Sequence, residues 1–177
     1  LRQPFDLICQ KAACGGQTEK KRSIRLPQDA LQGGVPASKE KDRRFGAAFD
    51  IGTTTIAAML WDLDCWESGI PLATAAAANP QAAYGADVIS RVQYAAGDRE
   101  KTAQLQKMVV ECINQLICQL CAQVEGTFPE RMLRYCAVGN TAMMQLLFGK
   151  DPAGLARAPF SVSALPLSVP AAELGLC

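Results

Sequence analysis

The sequence predicts an α/β fold in which helices cover a mixed β-sheet, and three observations carry that expectation. Strand-length apolar runs recur between Phe45 and Ala77, and a long amphipathic stretch follows from Arg99 to Val124. A short apolar run at Arg134–Val138 then leads into another helical segment. Hairpin-linked strands followed by helical crossovers pack as a sheet against helices. The order expected from residue 45 onward is β-β-β-α-α-β-α.

Residues 1–44 read as a lead-in. They hold Gly15-Gly16, Gly33-Gly34, Pro27, Pro36 and the charged run Lys39-Glu40-Lys41-Asp42-Arg43-Arg44, and only Ser23–Leu26 has strand character. Compact structure is expected over residues 45–177. The runs Phe45–Asp50 and Ile56–Asp62 form a hairpin, and a turn at Glu67-Ser68-Gly69 leads to a third strand over Ile70–Ala77. Asn79-Pro80-Gln81 ends that strand, because proline has no N–H for the ladder and restrains its predecessor.

Ala86–Ala96 reads as a helix with Val88, Ile89 and Val92 on one side and Asp87 in its first turn, where a carboxylate suits the helix dipole. From Arg99 to Val124, the residues Leu105, Val109, Ile113, Leu116, Leu120 and Val124 form one apolar stripe, which Gly126 and Pro129 terminate. After the strand at Arg134–Val138, Asn140 or Thr141 caps a helix over Ala142–Phe148, and Gly149 stops it. Beyond Asp151-Pro152 only short extended pieces are expected.

Composition narrows the function. The 177 residues suffice for one domain with a real core, and 20% charged residues with a net charge of +1 give no basis for a nucleic-acid surface. No apolar run approaches the roughly 20 residues that cross a bilayer, and residues 1–10 show no secretory signal. The chain starts without methionine, which suggests a fragment boundary. Eight cysteines lie mostly on helix and strand patterns rather than in a loop-rich framework, so a reducing, cytoplasmic setting is expected. Histidine is absent, so the chain cannot itself supply Ser-His, Cys-His or His-zinc chemistry. Cys118-Gln119-Leu120-Cys121 falls late in a long helix, with Cys121 flanking the stripe and Cys118 pointing away. Packing explains it better than metal or redox chemistry.

The most informative segment is Phe49-Asp50-Ile51-Gly52-Thr53-Thr54-Thr55, between two strands. Gly52 lets a ligand approach the main chain, and the threonines offer hydroxyl and amide donors to phosphate oxygens. Asp50 could hold Mg²⁺ or its water shell, since that cation prefers oxygen ligands. A plain hairpin also favours Asp and Gly, but it has no need of three successive threonines. Gly139, Asn140 and Thr141 open a helix whose amides could face the same anion, or form an ordinary cap. Asp87 and Arg91, four residues apart, could form a surface ion pair worth a few tenths of a kcal/mol. No Gly-x-Gly-x-x-Gly joins a strand to a helix, so the usual dinucleotide fold is not expected.

The strand order and the Asp-x-Gly-Thr-Thr turn resemble the first subdomain of the actin/hexokinase/Hsp70-like (ribonuclease H-like) nucleotide-binding fold. Within it, residues 45–176 resemble the reductive activators of corrinoid-dependent enzymes, in which a ferredoxin domain is fused to an actin-like ATPase. The more selective matches are Asn79-Pro80-Gln81, Tyr84-Gly85-Ala86-Asp87-Val88-Ile89-Ser90-Arg91, Val138-Gly139-Asn140-Thr141-Ala142-Met143 and Ala158-Pro159-Phe160. The resemblance implies ATP and Mg²⁺ as cofactors and a corrinoid protein as partner, whose cobalt is returned from Co(II) to Co(I) by an electron from an iron–sulfur cluster. It implies that Asp50 assists Mg²⁺ while Gly52, Thr53, Thr54 and Thr55 wrap the phosphates, joined by Gly139, Asn140 and Thr141. It further implies that Asn79, Tyr84, Asp87 and Arg91 lie near the cleft or at the face that docks the corrinoid protein. A homodimer stays open.

By the same resemblance, residues 1–44 follow an upstream [2Fe–2S] ferredoxin domain, with Cys9 as its fourth ligand and the other ligands outside this chain. The second phosphate turn and adenosine site of the superfamily are not visible after Thr55, so the isolated chain is expected to bind ATP weakly and not to hydrolyse it. A sugar or acetate kinase-like phosphotransferase, an activator of 2-hydroxyacyl-CoA dehydratases and a non-catalytic actin-like docking module are the competing readings.

Overall fold

The computed structural model describes residues 4–7 and 43–177, apart from 66, 68 and 167. Ser23–Leu26 and Cys9 lie outside the described residues. Six strands form one mixed sheet: β1 (Pro4–Leu7), β2 (Phe45–Ile51), β3 (Thr55–Asp62), β4 (Ala73–Ala78), β5 (Met132–Gly139) and β6 (Ser168–Pro170), in the spatial order β4-β3-β2-β5-β1-β6. The helices are α1 (Val88–Ala95), α2 (Arg99–Ala122) and α3 (Thr141–Leu147).

The expected β-β-β-α-α-β-α order holds from residue 45 through α3. β2, β3 and β4 form the antiparallel meander, and β5 returns parallel to β2 after the two helices. Three details differ. β4 starts at Ala73 rather than Ile70, because the chain leaving the Gly69 turn reaches the ladder only when the Leu72 amide bonds the Leu60 carbonyl. β1 takes a place between β5 and β6 that no local pattern announced, since its pairing partners are over 120 residues away in sequence. Ser168–Pro170, expected only as an extended piece, pairs with it as β6.

Strand alternation decides which face is core. Phe45, Ala47, Phe49 and Ile51 of β2 and Ile56, Ala58 and Leu60 of β3 are buried on the side that meets α2. Leu105, Val109, Ile113, Leu116 and Leu120 pack down from α2, as their spacing predicts. Cys121 is buried at the edge of this stripe and Cys118 is exposed, and burial pushes the Cys121 thiol up to about 11. Among the described residues no helix is long and apolar enough to cross a membrane.

α2 begins where Asp98 accepts from the amides of Glu100 and Lys101. The Lys101 amide, followed by its ammonium, holds the Asp98 carboxyl below the usual carboxylate range. A carboxyl lowered on folding stabilises fully above its unfolded value and loses that contribution as pH falls through the folded one. Asp98→Ala should therefore lower the melting temperature at neutral pH, and by less once the pH has fallen through the lowered folded-state value of Asp98. Thermal melts of the two proteins across that pH range measure this.

Candidate functional site

The threonine turn sits where β2 ends and β3 begins. The Gly52 amide bonds the Thr55 carbonyl at 3.0 Å and closes the loop. A Cβ on Gly52 would stand 2.6 Å from that same carbonyl oxygen, closer than side chains tolerate, so the tight closure requires glycine. Thr54 and Thr55 are exposed, while Gly52 and Thr53 are half-buried, so the loop faces solvent rather than packed protein.

Asp50 is exposed, and its strand neighbours are Ala57 and Val138. Its flanking residues Phe49 and Ile51 point into the core, so the carboxylate projects from the opposite face of the sheet, just before the turn.

The second predicted turn lies beside the first because β2 and β5 run parallel and in register, with Ile51 paired to Gly139. Their carboxyl ends therefore emerge side by side, the position where open α/β sheets place ligands. A Cβ on Gly139 would stand 2.9 Å from the Ile51 carbonyl oxygen and 3.0 Å from the Met144 sulfur, so glycine here lets β5 and α3 close onto β2. Asn140 is the N-cap of α3: its side chain accepts from the Met143 amide at 3.0 Å. Its Nδ2 also donates to the Thr53 hydroxyl at 3.3 Å, which joins the two turns directly. Thr141 is exposed at the first position of α3.

Asn79 lies behind the turn rather than at its mouth. It is buried, donates from Nδ2 to the Gly52 carbonyl at 2.8 Å, and donates from its backbone amide to the Thr54 carbonyl at 2.8 Å. Its Oδ1 accepts from the Gln81 amide and so caps the single helical turn Pro80–Tyr84. Gln81 is fully buried and ties that turn to the Leu105 carbonyl of α2. The Asn-Pro-Gln segment thus braces the hairpin from the core side.

Arg91 overturns the surface ion pair expected with Asp87. It is fully buried, with Nε donating to the Gly85 carbonyl at 2.7 Å and Nη2 to the Thr53 carbonyl at 2.5 Å. Nη1 lies 3.4 Å from the Met143 sulfur. Asp87 instead forms a reciprocal capping box with Ser90 at the start of α1. Spacing of i and i+4 allows a pair on an exposed helix face, but α1 turns Arg91 inward. Burial lowers the guanidinium pKa, and the distant Asp87 charge offsets part of that.

Tyr84 does not join the turn. Its ring packs at 4.9 Å from that of Tyr94, and its hydroxyl accepts from Gln104 at 2.7 Å. Met143 was not singled out from the sequence as a site residue, yet its sulfur sits beside both Arg91 and the Asn79 amide. Its place at the end of the Val138–Met143 segment does not announce that role, which depends on α3 meeting α1 and the Asn79 segment. A cavity of about 650 Å³ lies over β3 and β4, and another of about 470 Å³ lies between α1 and Arg157; neither is lined by the turn.

A family model described as the RACo middle region matches residues 45–177. The chain is 33% identical over 127 residues to the corrinoid activation enzyme RamQ of Eubacterium limosum, covering 71% of this chain and 21% of RamQ. It is similar in structure to a reductive activator for corrinoid, iron–sulfur protein, with a TM-score of 0.69 and 38% identity over 79% of this chain and 22% of that one. The chain thus spans about a fifth of the length of these relatives. With the family model covering residue 45 to residue 177, the chain belongs to the RACo middle region family.

Proposed function

We propose that residues 45–177 supply one wall of the ATP site in a reductive activator of corrinoid proteins, the first part of an actin-like ATPase domain. The names of the two relatives support the corrinoid partner. The observation that carries the nucleotide assignment is the adjacency of two loops, Gly52–Thr55 and Gly139–Thr141, at the carboxyl ends of neighbouring parallel strands.

The residues present fit a Mg-nucleotide. Three consecutive threonines and their amides form a donor set for phosphate oxygens, and Asp50 offers the hard oxygen that Mg²⁺ prefers, through a bound water. When bound, Mg-ATP supplies the free energy that makes an uphill one-electron reduction of Co(II) to Co(I) proceed. The chain's own part is to hold the polyphosphate and to transmit its presence through the packed helices behind the turn. A [2Fe–2S] cluster would deliver the electron, and among the described residues no group of three or more His, Cys, Asp or Glu side chains gathers to hold a metal. Cys9 and the rest of residues 1–44, as the segment following a ferredoxin domain, and a cytoplasmic setting belong to the same reading.

The test is to mix the intact protein with a Co(II) corrinoid protein, a low-potential reductant and Mg-ATP, and to follow the Co(I) absorption band. Co(I) forming only with all components present supports the reading, and Co(I) forming equally well without ATP overturns it. Phosphoryl transfer from ATP to a sugar or to acetate, with no corrinoid dependence, would favour the phosphotransferase instead.

A further inference from the structure

We infer that Arg91 and Asn79 are positioning residues for the phosphate turn, which aim its amides at the ligand from behind without touching it. This rests on the nucleotide reading above and deepens it. Three successive turn carbonyls are each bound from the protein side: Gly52 by Asn79 Nδ2, Thr53 by Arg91 Nη2 and Thr54 by the Asn79 amide. A trans peptide is planar, with its C=O and the following N–H pointing in opposite directions. Pinning the Gly52 and Thr53 carbonyls inward therefore turns the Thr53 and Thr54 amides outward, toward the open side of the loop. Successive amides aimed one way form an anion-binding concavity.

Electrostatics point the same way. Arg91 is a fully buried cation, and among the described residues no carboxylate stands within ion-pair distance of it. Its hydrogen-bonding partners are two carbonyls and a thioether, which satisfy donors but do not neutralise charge. A buried charge so placed is costly when structure is its only role. A polyphosphate on the far side of a single peptide layer would act as its counter-ion.

The experiment compares wild type, Arg91→Met and Arg91→Lys in the intact protein, by titration with Mg-ATP and with inorganic triphosphate, alongside thermal melts. Arg91→Met is expected to weaken Mg-ATP and triphosphate by the same factor, on the order of tenfold or more, because the effect is confined to the phosphate end. Arg91→Lys keeps the charge but reaches fewer acceptors, and should fall between the two. Where Arg91→Met does not fold, Arg91→Lys carries the test alone. Wild-type affinity in a folded variant, or a loss for Mg-ATP that triphosphate does not share, overturns the inference. A wild-type protein that binds neither probe would overturn the nucleotide reading itself, and so distinguishes the two failures.

Discussion

Replacing Gly52 with alanine should abolish tight Mg-ATP binding by the intact protein while leaving most of the fold in place. The added methyl carbon would stand 2.6 Å from the Thr55 carbonyl oxygen, a backbone atom that cannot swing aside as a flexible side chain would. Relief requires the loop to open, and opening breaks the bond from the Gly52 amide that closes it. The anchored carbonyls on either side then lose their alignment with Asn79 and Arg91. Overpacking of this kind costs roughly 1–3 kcal/mol of stability, which a domain of this size survives. The nucleotide affinity should fall by more than about tenfold, since 1.4 kcal/mol of lost alignment already amounts to that. Calorimetric titration with Mg-ATP, paired with a urea denaturation curve, separates the two effects. Affinity equal to wild type would mean that the loop does not grip phosphate.

A second large effect is expected at the centre of α2. Leu116 is fully buried in the apolar stripe of α2, the helix that packs on β3 and β4. Leu116→Ala removes packing on both sides and leaves a cavity, which costs about 2–5 kcal/mol in comparable cores. Against a total of roughly 5–15 kcal/mol, that loss is a large share of the stability. A urea midpoint shifted strongly downward, with an unchanged slope, is the expected result. Cys118→Ala serves as the control: Cys118 is exposed two residues along the same helix and should change stability by less than about 0.5 kcal/mol.

The contrast between these two sites shows what the sequence made legible. Leu116 was readable because a helix repeats every 3.6 residues, and Leu105, Val109, Ile113 and Leu120 repeat with it. The turn was readable because Asp50, Gly52 and three threonines are contiguous. Arg91 was not. Its spacing to Asp87 is the same for a solvent-exposed pair and for a buried clamp, and only the approach of α1 to the hairpin decides between them. Asn79 announced itself as a strand end through Pro80, while its bonds to Gly52 and Thr54 depend on β4 lying beside β3. Pro4–Leu7 shows the same limit at the level of a strand, because its place is set by β5 and β6 rather than by its own residues. Periodic and contiguous signals survive in one dimension, and convergence of distant segments does not.

The tethering of three neighbouring carbonyls also bears on how fast and with what heat a ligand would arrive. A floppy loop must freeze when it captures an anion, and that ordering opposes association. Here the stiffening is completed when the protein folds, before any guest appears. Capture would then proceed without waiting for a loop to close, and residence time rather than arrival rate would separate one nucleotide from another.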